Sequence, residues 1–226
     1  MRATQTRIIV TPGKVEVVAP VKVSEHKIHE FIQAKQQWII QALARIDVKS
    51  QQHKTLAPAV YSHGAEIPYQ GASYKLVIKP TQLKKIKIEF GKEFFAHVPE
   101  ALMINNHSVE IKEALIRWMK QESKNRVEQL VKQHAEKKQL FPQVIRIKTQ
   151  KSRWGSCGIH NDININWLLI IAPPEILEYV VVHELCHIKI RNHSAHFWAL
   201  VAEHLPDYHN RRQWLKKYGS SLMMGL

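Results

Sequence analysis

The first apolar positions of the chain come in β-branched runs on either side of a turn pair. In TRIIVTPGKVEVVAP (residues 6–20) the runs flank Pro12-Gly13, which predicts a hairpin. Residues 24–47 change period. Ile28, Phe31, Ile32, Trp38, Ile39 and Leu43 fall on one stripe of a helix that Ser24 is placed to cap. Residues 48–60 keep no period and read as a linker. IPYQGASYKLVI and KIKIEFGKEFFAHV each carry a glycine at or near a turn, and Ile86, Ile88 and Phe90 alternate with charged residues, so two more hairpins are expected. Helical spacing returns from Ser108 to about Lys137, through Ile111, Leu115, Trp118, Val127, Leu130 and Val131. Strands are expected over residues 143–150 and 163–173. A helix should start at Pro174, because a proline and the acidic Glu175 both suit a first turn, and should stop near Ile190. Another is expected from about Asn192 to Leu205. The fold class that follows is α+β: a β-rich module with one helix over residues 1–105, then a second domain over 106–226.

Composition narrows the setting. A chain of 226 residues can bury a core as one large domain or two small ones. No run reaches the ~18 apolar residues that span a bilayer, and the first twenty residues lack the apolar centre of a signal peptide. Two cysteines, Cys157 and Cys186, are too few for a disulfide scaffold. The expectation is a cytoplasmic protein with reduced thiols and no membrane association. A formal charge of +14 favours anionic partners. Its basic residues are scattered, with local groups at 84–87, 148–153 and 211–217; a solvated basic surface is the plain reading and nonspecific nucleic-acid binding the alternative.

The chemistry gathers in EYVVVHELCHIKIRNHSAHFW (178–198). His183-Glu184-Leu185-Cys186-His187 has the form H-E-x-x-H. As a strand, the two imidazoles would stand ~13 Å apart, beyond the reach of one ion with ~2.1 Å bonds. As a helix, they are neighbours one turn apart. Glu184 then lies ~80° off their direction, clear of the metal's ligands but in reach of a bound water. Cys186 reads as a small buried hydrophobe. A catalytic zinc site takes three protein ligands. His193 lines up with Phe197, Leu200, Val201 and His204 and is favoured as the third over His196, with Glu203 a further candidate. The spacing H-E-x-x-H-x5-H is also that of metzincins, with Ile190 standing where they have glycine.

RWGSC (153–157), ININW (163–167), YVVVHELCH (179–187) and NHSAHFW (192–198) resemble the YgjP-like metallopeptidase family. The N-terminal hairpin, the helix around Trp38, IPYQGASYKLVI and the helix through Trp118 share the likeness. The turn IHND after Gly158 is a small departure. The resemblance implies a zincin-like metallopeptidase domain, related to the WLM and SprT-like proteases, with its H-E-x-x-H segment on the active-site helix. It also implies Zn(2+) on His183, His187 and His193, with Glu184 catalytic.

The leading expectation is therefore a zinc-dependent hydrolase cutting peptide bonds in a peptide or protein substrate. ININWLLI is expected as the edge strand that holds extended substrate. Arg153, Trp154, Asn166 and His196 are the substrate-binding candidates, and Arg153, Arg191, His196 and Tyr208 the candidates for oxyanion stabilisation. Two alternatives stand beside it. One is a zinc-dependent nucleoside triphosphate pyrophosphohydrolase, converting UTP to UMP and pyrophosphate; the positive charge favours an anionic nucleotide, but only three aspartates occur and no phosphate loop is present. The other is a DNA-associated SprT-like protease, whose DNA affinity would fall steeply with salt.

Overall fold

The computed structural model describes residues 5–11, 14–52, 56–103 and 107–226. The chain divides into two compact units, Met1–Lys54 and Thr55–Leu226. The division expected near residue 105 falls inside the second unit. The reason is aromatic packing: Tyr69, Phe90 and Phe94, which precede that point, form a ring cluster with Trp118, which follows it.

In the first unit β1 (Arg7–Thr11) pairs antiparallel with β2 (Lys14–Val18), as the sequence suggests; the Pro12-Gly13 turn lies outside the described residues. The helix expected over 24–47 is two helices, α1 (Glu25–Ala34) and α2 (Gln36–Gln52). They part at Lys35, whose φ of −104° and ψ of 4° leave the helical well while its N–H reaches both Ile32 and Phe31 carbonyls. Ser24 stands at the α1 N-cap with extended backbone, but its side chain makes no capping bond. α2 runs into the expected linker. Among the described residues every buried apolar side chain belongs to the second unit.

That unit begins with a four-stranded sheet. β3 (Glu66–Tyr69) and β4 (Ala72–Thr81) form one hairpin, β5 (Lys87–Phe90) and β6 (Phe94–Pro99) the other, and β4 joins β6 in parallel to give the order β3-β4-β6-β5. The β3–β4 turn uses Gln70 and Gly71, both at positive φ, as a two-residue hairpin requires. Gly71 also approaches Pro173 so closely that an added Cβ would sit 2.9 Å from its ring. α3 (Ser108–Lys138) follows, buried along Ile111, Leu115, Met119, Val127 and Leu130.

The second sheet has three strands: β7 (Ile145–Lys148), β8 (Gly155–Cys157) and β9 (Ile163–Asn166), in the order β7-β9-β8. Two expectations change here. The strand expected over 163–173 stops at Asn166, whose Oδ1 accepts the Leu168 N–H, and residues Trp167–Ile171 turn into a buried 3-10 helix. β9 is also the central strand, flanked by β7 and β8, so the edge strands are β7 and β8 and not ININWLLI. Three helices complete the unit: α4 (Pro174–Lys189), α5 (Ala195–His204) and α6 (Tyr208–Leu222). Both cysteines are free thiols. Among the described residues no helix is long and apolar enough to cross a membrane.

Candidate metal centre

The run His183–His187 lies within α4, whose Ile176, Leu177, Val180, Val181, Val182, Leu185 and Cys186 are all buried. β-branched residues here would suit a strand on local preference alone. Burial on most sides of the helix overrides that preference, and the helix sets His183 and His187 one turn apart with ring centroids 4.8 Å from each other. α4 ends as Ile190 turns to extended backbone, and the chain doubles back through Arg191–Ser194. The Asn192 side chain accepts the Ser194 N–H, fixing this turn. His193 thus sits in the connection, before the Ser194 N-cap, and not in the first turn of α5.

Three imidazoles converge. The Nε2 atom of His183 is 3.2 Å from Nε2 of His187 and 3.1 Å from Nε2 of His193. One ligand atom from each of the three lies within 4.8 Å of the others. Ligand nitrogens around a tetrahedral ion with ~2.1 Å bonds are ~3.4 Å apart, so the donor set fits a divalent metal. Protonation fits as well. The Nδ1–H of His187 donates to the Ile190 carbonyl at 3.0 Å, which leaves the Nε2 lone pair facing the cluster. Burial, together with the charges of His187, His193 and Arg212, pushes His183 down to about 3, so it stays neutral. Burial likewise lowers His187.

Glu184 is 5% exposed, and its side chain packs directly on β8. A Cβ at Gly155 would lie 2.5 Å from Glu184 Oε1 and 2.7 Å from Cγ, so only glycine permits this approach. Burial raises the Glu184 carboxyl to about 8. An open pocket of about 250 Å³ adjoins His183 and Glu184, with Arg153, Trp154, Tyr179 and Leu215 among its walls. Trp154 in turn rests on Gly219 of α6, where an added Cβ would meet the indole at 3.2 Å.

The other sequence candidates separate clearly. Arg153 and Trp154 border the pocket. Asn166 does not: it is fully buried, and its amide binds the Gln150 and Arg153 carbonyls, holding the loop before β8. His196 is exposed and is not among the three clustered histidines. Glu203 is also outside the cluster, because it pairs with Lys138 of α3. Arg191 is spent on the β8–β9 connection, through the Gly158 carbonyl and Asn161. Tyr208 is buried against the Trp198 ring. The sequence reading missed Trp198, whose ring lies 5.6 Å from His193 and 5.7 Å from His183, and Arg212, whose guanidinium sits 4.4 Å over that indole. Arg212 lay inside the basic run RRQWLKK, where nothing distinguishes it from its neighbours.

A family model described as YgjP-like, metallopeptidase domain, matches residues 4–218. No curated protein matches the chain, and no solved structure does.

Proposed function

The chain belongs to the YgjP-like metallopeptidase family, and from that premise we propose that it is a zinc-dependent peptidase whose ligands are His183, His187 and His193 and whose general base is Glu184. The observation that carries this reading is the convergence of three Nε2 atoms on one side of α4 next to a buried carboxylate on the same helix. When bound, zinc acidifies water and polarises a carbonyl oxygen.

The residues do the remainder. His187 is held in one tautomer by Ile190, and His183 is kept neutral by burial, so both offer lone pairs. The raised proton affinity of Glu184 suits a group that takes a proton from the attacking water and gives it to the departing amide nitrogen. α4 as the active-site helix and β8 as the substrate edge act together. β8 pairs with β9 on one side only among the described residues, and it passes Glu184 at Gly155. An extended peptide adding to that free edge would bring its carbonyls past the three histidines. Metallopeptidase membership points to peptide or protein substrates; it lends no support to the nucleotide or DNA-associated alternatives.

The test is metal content and turnover of fluorescently labelled casein by wild type and Glu184→Gln. About one zinc per chain in both, with turnover in wild type lowered at least ~10³-fold in the variant, is the expected result. Equal turnover in the two proteins would defeat the assignment of Glu184.

A further inference from the structure

Of the arginines near the three histidines, each except two has a settled structural task. Arg211 binds Glu178 and Asp207, and Arg191 binds Gly158 and Asn161. Arg153 and Arg212 pair with no carboxylate among the described residues. Arg153 is exposed on the loop before β8, the same wall that carries the Gly155 contact to Glu184. Arg212 comes from a different wall. It projects from the first turns of α6, and its guanidinium carbon lies over the Trp198 ring, 4.4 Å from the centroid. Trp198 is itself fixed, lying at 10° to Tyr208 and 22° to His193 with centroid separations of 5.4 and 5.6 Å. A guanidinium stacked on a held indole keeps its N–H groups in a set plane, which a free surface arginine does not.

It stands beside the site. The Trp198 ring that carries Arg212 lies 5.6 Å from the His193 ring and 5.7 Å from that of His183, two of the proposed ligands. A cation with no protein counter-ion beside a ligand cluster opposes metal binding and gains nothing within the resting chain. It becomes favourable when negative charge appears there. Peptide hydrolysis supplies that charge: as the water oxygen bonds to the carbonyl carbon, the C=O π pair moves onto oxygen, and it returns when the C–N bond breaks and Glu184 delivers its proton to nitrogen.

We infer that Arg212, positioned by Trp198, is a catalytic residue that donates to the substrate carbonyl oxygen and stabilises the negative charge developing on it. The inference rests on the peptidase reading of the site. Of the other oxyanion candidates, Arg191 is occupied, His196 lies outside the cluster and Tyr208 is buried beneath the Trp198 stack; Arg153 borders the pocket, but among the described residues no aromatic ring holds its guanidinium as Trp198 holds that of Arg212.

The experiment compares wild type, Arg212→Lys, Arg212→Met and Arg212→Ala on the best-cleaved member of an internally quenched peptide library, with zinc content measured for each. Zinc is expected to stay at the wild-type ratio. For Arg212→Met, kcat falls about 10²-fold to 10³-fold with KM changed less than about threefold, the pattern of a lost oxyanion donor. Arg212→Lys retains part of the rate, and added guanidinium restores part of it to Arg212→Ala. A phosphonate analogue of the peptide binds Arg212→Met more weakly by a similar factor. Wild-type kinetics in Arg212→Met, a loss confined to KM, loss of zinc, or no rescue by guanidinium overturns the inference and leaves the peptidase reading standing. Absence of Glu184-dependent turnover in wild type overturns both.

Discussion

At the scale of single residues, the site depends on one missing methyl group as much as on its polar groups. Gly155 has no need of unusual backbone geometry; it is glycine because Glu184 fills the space where a side chain would go. Gly155→Ala forces either β8 or the Glu184 carboxylate to move. A small-to-large change in tight packing costs about 1–3 kcal/mol of stability. Turnover should fall at least ~10-fold while zinc content is unchanged, since a misplaced base is felt in the rate. Unchanged kcat in Gly155→Ala would mean that the approach has no part in positioning Glu184. The proposed set of His183, Glu184, His187 and His193 was suggested by spacing: two imidazoles four residues apart are neighbours on a helix, and a third follows just beyond its end. It hid the Gly155 contact, which joins residues 29 positions apart and leaves no periodic trace. Asn166 misled for the opposite reason: a polar residue beside a motif looks available, yet it caps a strand end and ties down a loop.

At the scale of elements, α4 carries two of the three clustered histidines on one side and is anchored on another. His134 of α3 contacts Glu178 of α4 through Nε2 at 2.9 Å, and Arg211 of α6 binds the same carboxylate at 2.6 Å and the Glu175 carbonyl at 3.1 Å. Desolvation works to raise the Glu178 carboxyl, but bonds and charge from Arg211 and His134 outweigh it, and the net displacement from 4.5 is downward. A depressed carboxyl contributes stability that is present above its unfolded value and lost as pH falls through its folded one. Wild type should therefore exceed Glu178→Gln in melting temperature at neutral pH, and the gap should narrow as pH falls below 4.5 and close once it has passed the lower folded value. A gap independent of pH would show that the carboxylate charge is not what anchors α4. Helices with long apolar stripes, α3 and α4, were legible in advance. β8 was not, being three residues long and set by pairing with β9 rather than by its own pattern. α6 was not either: its polar run conceals that Tyr208, Gly219 and Leu222 are buried.

At the scale of the whole molecule, the division of the chain explains which part needs which. The four-stranded and three-stranded sheets, the long helix α3 and the three histidines belong to Thr55–Leu226, and so does every buried apolar side chain among the described residues. The sequence placed its boundary some fifty residues later because hairpins of similar character occur on both sides of residue 54, and periodicity does not report which sheet packs on which helix. Residues 55–226 expressed alone should fold cooperatively and take up zinc at the full-length ratio; a chain that remains unfolded would make Met1–Lys54 part of the folding unit. The central claim is narrower than any of these. It is tested most directly by crystals grown with zinc and measured on both sides of the zinc absorption edge. A single anomalous peak about 2.1 Å from Nε2 of His183, His187 and His193 is the result expected. A peak that engages His196 or Glu203 in place of His193, or none between the three imidazoles, would contradict it.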